Sequence, residues 1–136
     1  MPRVILFLLI NILSGIFLVN LSWSANMKLT SPSFASNGYI PQKFSCHGAE
    51  ISPELLVEGI PGNAKTLALL VVDPDAPSGA WTHWIVYNMP LVSRIPEAGA
   101  PGEKGINSSG KASYDGTCPP SGVHHYSLVE CMEFRV

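Results

Sequence analysis

The chain has 136 residues, 46% of them hydrophobic, with eight Lys and Arg against ten Asp and Glu and a net charge of −2. That length suits one domain. So few cations supply neither a basic patch to follow a phosphate backbone nor a Lys/Arg-rich amphipathic stretch for a membrane surface, which argues against nucleic acid as a partner.

Met1-Pro2-Arg3 is a short basic start, and Val4 to Val19 is an apolar run interrupted mildly by Asn11, Ser14 and Gly15. The run is short for a membrane span, which needs roughly 20 residues, and it reads as a secretory signal peptide. Ser22 and Ser24 are the small residues wanted third-last and last before a cut, whereas a cut after Ala25 would place bulky Trp23 third from last. Cleavage after Ser24 is therefore expected. It makes 1–24 a signal peptide and 25–136 the domain, periplasmic or secreted, with no transmembrane span in the mature chain. An uncleaved membrane anchor is the weaker alternative.

Beyond the leader, Gly and Pro are scattered and short apolar runs are cut by turns. Export also bears on the cysteines: if Cys46 and Cys118 are joined, Cys131 is left odd, and sequence alone does not assign the pairing. With no C-x-x-C, a zinc knuckle or thioredoxin-like motif has no support. Thr66 to Val72 is the clearest strand, a Leu- and Val-rich run stopped by Asp73-Pro74. Trp81 to Met89 is a second, ending at Pro90, and Val123 to Val129 a third. Between the last two lies a connection rich in Gly, Ser and Pro, Leu91 to Gly122. A loop of that length is functional or disordered, and function is preferred because both its ends run into the residues with chemistry. No window carries a capped helical stripe, so an all-β sandwich or barrel is expected.

Strand alternation places Trp81, His83 and Ile85 on one face of the second strand, with Thr82, Trp84 and Val86 on the other. In the third, His124, Tyr126 and Leu128 share a face. If the two strands lie near each other, His83, His124 and Tyr126 converge beside Asp73, walled by Trp81 and by Pro119-Pro120. Each residue also has a plainer reading: Asp73 as a turn-starter, the histidines as half-buried strand residues, the tryptophans as core. Two His, an Asp and a Tyr suit three tasks. They can donate hydrogen bonds to an anion. They can hold a metal, although H-x-H and H-x-x-x-H spacings are missing and only Asp73, His83 and His124 or His125 would serve. They can run hydrolysis, but Ser121 lacks a G-x-S-x-G elbow. Anion binding asks least, and no metal is expected.

Asp73–Pro77 "DPDAP", Trp81-x-His83 followed by Asn88–Pro90 "NMP", Cys118–Tyr126 "CPPSGVHHY" and Ser52–Leu55 "SPEL" resemble the phosphatidylethanolamine-binding protein (PEBP) family, and more closely its bacterial YbhB/YbcL-like, Raf kinase inhibitor-like branch. The likeness runs in order to about Leu128. It implies a mainly β fold, a two-sheet antiparallel β-sandwich, with a pocket for phosphate-type anions and phospholipid head groups. Carried over residue by residue, that pocket falls on Asp73, Trp81, His83, Pro120, His124 and Tyr126. The resemblance further implies a binder or inhibitor of a kinase or protease rather than an enzyme, without a cofactor.

The sequence departs from the family at His125, where Arg is usual, at Val57 in place of a Trp, and at Ser108 and Ser113 in place of Asp and Gly. It also stops at Val136, where a C-terminal helix and strand are expected and missing, so that the domain reads as truncated. The alternatives to an exported anion binder are a small phosphoester hydrolase using the same His/Asp cluster and an inert truncated remnant.

Overall fold

The computed structural model describes residues 27–132, with side chains described as far as Leu128. The expected signal peptide and its cut after Ser24 lie outside these residues, as do positions 133–136. Among the described residues no helix is long and apolar enough to cross a membrane.

Among the described residues seven strands form: β1 Lys28–Thr30, β2 Leu55–Glu58, β3 Leu67–Asp73, β4 Trp81–Met89, β5 Arg94–Ile95, β6 Glu103–Lys104 and β7 Ser127–Met132, with one 3-10 turn at Gln42–Phe44. They make two antiparallel sheets, ordered β1-β2-β5 and β6-β4-β3-β7. The mainly β, two-sheet antiparallel architecture is the one expected.

β3 sits inside the larger sheet because its sequence alternates fully buried Leu67, Leu69, Val71 and Asp73 with half-buried residues. Leu69 opposes Val86 and Val71 opposes Trp84 across β3 and β4, and such cross-strand pairs are the unit of sheet stability. Their inner face shares one core with Leu55 and Val57 of β2 and Ile95 of β5. Burying each such side chain contributes about 1.5–3 kcal/mol. Val57, one of the departures noted above, is 3% exposed within that core.

Two expectations need correction. The third strand begins at Ser127, not Val123, and runs to Met132. Among the described residues it pairs with β3 alone, from Leu67↔Met132 to Val72↔Ser127; beyond Asp73 comes Pro74, which has no N–H with which to continue a ladder. His124 and Tyr126 therefore stand before the strand rather than in it. Strict alternation also fails in β4. Val71 pairs with Trp84 but Val72 with Thr82, so His83 is an extra, bulged residue. His83 and Trp84, next to each other at this bulge, are both buried.

The second and third strands do not pair with each other either. β4 and β7 flank β3 on its two sides, so the end of β3 is where residues from both can meet.

Candidate functional site

The site begins at the turn that closes β3. Asp73, the last strand residue, accepts the Asp75 N–H on Oδ1 at 2.9 Å, the local carboxylate turn typical of Asp before Pro. Gly79 N–H then bonds Ala76 O at 3.0 Å, with Gly79 at φ +96°, where a Cβ would be strained. The chain returns into β4 with Trp81 directly opposite Asp73.

The bulge presents His83 to the long connection. Its Nδ1 donates to Asp115 O at 3.0 Å, while its own carbonyl accepts Asp115 N–H at 3.0 Å and Asn107 Nδ2 at 3.2 Å. Farther along, Ser108 N–H bonds Thr82 O and Ser108 Oγ accepts Thr82 N–H. The loop is thus pinned to the edge of β4 and closes over His83, which is 5% exposed. Burial opposes ionisation of Asp115, but the Ser109 hydroxyl and the Lys111 ammonium, at 3.0 Å, outweigh it and hold the carboxyl below its ordinary range.

From the other side of β3 comes His124, whose Nδ1 lies 2.7 Å from Asp73 Oδ2, with both side chains less than a tenth exposed. The adjacent His125 is exposed, and its backbone N–H and Nδ1 both meet Asp75 Oδ2 at 2.7 Å. Those two contacts, the backbone N–H first, hold the Asp75 carboxyl below the usual carboxylate range. The two acids of the turn therefore fix the two consecutive imidazoles, one inward and one outward.

Asp73, Trp81, His83, Pro120 and His124 line a single cleft of about 380 Å3, together with Pro77, Ser78, Asp115, Gly116 and Cys118. Tyr126 lies beneath it. Its ring meets His83 edge-on with centroids 5.3 Å apart, and it borders a small apolar cavity between the sheets with Val71, Trp84 and Leu128. Its hydroxyl is buried with no hydrogen-bond partner among the described residues. Burial, then the neighbouring Asp73 carboxylate, push its phenol up to about 12. Tyr114 shares that cavity, packs edge-on against Trp84 at 5.6 Å and donates to Phe44 O at 2.8 Å, and burial raises its phenol further.

Asp115 and Ser78 were not anticipated from sequence. Asp115 carried no signal beyond an acid in a Gly/Ser-rich loop; only the folding of that loop onto the bulge brings it to the cleft. Cys46 and Cys118 form a disulfide, which anchors the Pro119-Pro120 wall to the segment after the 3-10 turn.

The chemistry available to the cleft follows from which ring nitrogens are occupied. Carbonyl and carboxylate oxygens only accept, so Nδ1 of His83 and of His124 each carries a proton. Nε2 is then the position left on each ring to meet a ligand.

Residues 30–129 match the family model described as phosphatidylethanolamine-binding protein. A UPF0098 protein of Methanothermobacter thermautotrophicus is 46% identical over 108 residues, covering 74% of this chain and 72% of the relative. One from Pyrococcus horikoshii is also 46% identical over 108 residues, covering 71% of this chain but 54% of the relative. Among solved structures, a phosphatidylethanolamine-binding protein homologue from Chlamydia trachomatis superposes with a TM-score of 0.74 at 40% identity, covering 79% of this chain and 74% of its own. YbcL of E. coli, described as a member of the mammalian PEBP family, gives 0.72 at 31% identity, covering 78% and 76%.

Proposed function

The chain belongs to the phosphatidylethanolamine-binding protein family, and from that premise we propose that its cleft binds a phosphate or phospholipid head group as a non-catalytic receptor, without a cofactor. The observation that carries this reading is the pairing of His83 with Asp115 O and of His124 with Asp73, both through Nδ1, on the wall of one cleft. Each ring is held by an oxygen acceptor that fixes its tautomer, and each has Nε2 left over. An anion is met there by an N–H when the ring takes a second proton, or it brings a P–OH proton of its own to the Nε2 lone pair. Trp81 and Pro120 wall the same space, and excluding water strengthens every polar contact made inside it.

Calorimetry with phosphoethanolamine and with inorganic phosphate tests the reading. Binding is expected to be lost in His124→Ala and in His83→Ala, and unchanged affinity in a folded variant overturns the site. If phosphoethanolamine binds and inorganic phosphate does not, the head group rather than the free anion is the ligand class. Turnover of a phosphoester by the parent protein, lost in His124→Ala, would replace the receptor by a hydrolase. The family resemblance extends the reading to a kinase or protease as protein target, tested by inhibition that Asp73→Asn relieves.

The same proposal includes export. It is supported by the signal-like pattern of 1–24 and by the Cys46–Cys118 disulfide, a bond that persists in oxidising compartments. N-terminal sequencing of protein from the producing cell is expected to begin at Ala25, and an intact Met1 overturns it.

A further inference from the structure

We propose that reduction of the Cys46–Cys118 disulfide converts its two sulfurs, together with a ring nitrogen of His47, into a site for one zinc ion. The three candidate ligand atoms lie within 4.8 Å of one another. Tetrahedral zinc, with bonds of about 2.3 Å to sulfur and 2.0–2.1 Å to nitrogen, sets its donors on the order of 3.6–3.8 Å apart. The separations here exceed that by at most about 1 Å, an adjustment within reach of side-chain torsions at an exposed histidine. Two thiolates and an imidazole are a borderline-soft donor set that suits zinc, and three protein ligands leave a fourth position for water.

What makes this a site rather than a coincidence of neighbours is that the backbone gathers the donors independently of the disulfide. Ser45 and Thr117 form a parallel bridge, and Cys46 N–H bonds Thr117 O at 3.3 Å. His47 is tied at both ends of its peptide unit, its N–H to Ser45 Oγ at 3.2 Å and its carbonyl to Gln42 Nε2 at 3.1 Å. The two segments are packed backbone to backbone, since a Cβ on Gly116 would lie 2.7 Å from Cys46 N; within the first of them the turn is equally tight, with a Cβ on Gly48 2.1 Å from Gln42 O. None of these contacts needs the S–S bond. The Cα atoms of the two cysteines, 5.6 Å apart, therefore stay within chelating distance after reduction. Glu50, whose carboxylate accepts Gly116 N–H at 3.3 Å, adds negative charge beside the site.

The chemistry balances. A phosphine attacks one sulfur and is oxidised to its oxide with oxygen from water, while the disulfide gains two electrons and two protons and becomes two thiols. Zinc then forms two Zn–S bonds and one Zn–N bond and releases the two thiol protons to solvent. The disulfide and the zinc site are mutually exclusive states of the same sulfurs, so one excludes the other as the compartment's redox poise changes.

The test uses the full chain, reduced with a water-soluble phosphine, desalted without air and titrated with Co2+ as a spectroscopic stand-in before displacement by Zn2+. The reduced protein is expected to take up one ion with thiolate-to-cobalt charge transfer and tetrahedral visible bands, and the oxidised protein none. His47→Ala, at an exposed position whose loss opens no core cavity, is expected to weaken Zn2+ binding by at least about tenfold. Absence of these bands in the reduced parent, an unchanged affinity in His47→Ala, or full retention of the charge-transfer band in Cys118→Ser would each overturn the proposal.

Discussion

Asp73→Asn perturbs the cleft while leaving its shape nearly intact. The carboxylate holds two donors, Asp75 N–H on Oδ1 at 2.9 Å and His124 Nδ1 on Oδ2 at 2.7 Å, and its side chain is 5% exposed. An amide keeps one acceptor oxygen and turns an NH2 toward the other donor. One hydrogen bond to a charged group, worth about 1.5–3 kcal/mol, is lost. In a domain of about 100 residues each kcal/mol moves Tm by roughly 4–8 °C, so a fall on the order of 10 °C is expected. Urea unfolding at neutral pH, followed by tryptophan fluorescence, reads the free energy directly, and calorimetry on the same sample reads phosphate affinity, which is expected to fall with it. A variant within about 0.5 kcal/mol of the parent, the range of ordinary surface substitutions, would refute the claim that Asp73 anchors His124.

Trp84→Ala removes a side chain 2% exposed at the centre of the core and is expected to cost about 3–5 kcal/mol in urea unfolding; a loss below about 1 kcal/mol contradicts the packing described. The carboxyls of Asp75 and Asp115 are lowered from 3.8 in the folded state, so their contribution to stability is complete above that value and is lost as pH falls through their folded values. Acid unfolding of the Asp75→Asn, Asp115→Asn double variant is accordingly expected to be less steep than that of the parent. For Tyr126, raised from 10.0 to about 12, the sign is reversed: its contribution is present below 10.0 and lost as pH climbs toward 12. A spectrophotometric phenolate titration is expected to lose one late-ionising tyrosine in Tyr126→Phe, and an unchanged curve contradicts its burial.

β3 and β4 were legible because local chemistry bounds them: an apolar Leu/Val run stopped by Asp73-Pro74, and a large-residue run stopped by Pro90. The start of β7 was not legible, since Val123 to Tyr126 have strand-like residues and only the end of the β3 ladder at Pro74 denies them a partner. The bulge at His83 was hidden for a similar reason, because register is a property of two strands and not of one.

The gathering of Asp73, Trp81, His83, Pro120 and His124 in one cleft could be anticipated, although through a different geometry from that expected. The two histidine-bearing segments meet across the end of β3, not as neighbouring strands. Tyr126, expected in the pocket wall, lies below it, against the His83 ring and the apolar cavity between the sheets. Asp115 and the cluster of Cys46, His47 and Cys118 depend on residues brought together from distant turns, for which spacing along the chain gives no sign.

The most direct test of the cleft's proposed chemistry is 15N correlation spectroscopy of the imidazole rings before and after addition of inorganic phosphate. In the free protein His83 and His124 are expected to carry their proton on Nδ1, and phosphate is expected to shift Nε2 of both rings together. Nε2 signals that stay in place in a large excess of phosphate, or free rings protonated on Nε2 with Nδ1 bare, would contradict it.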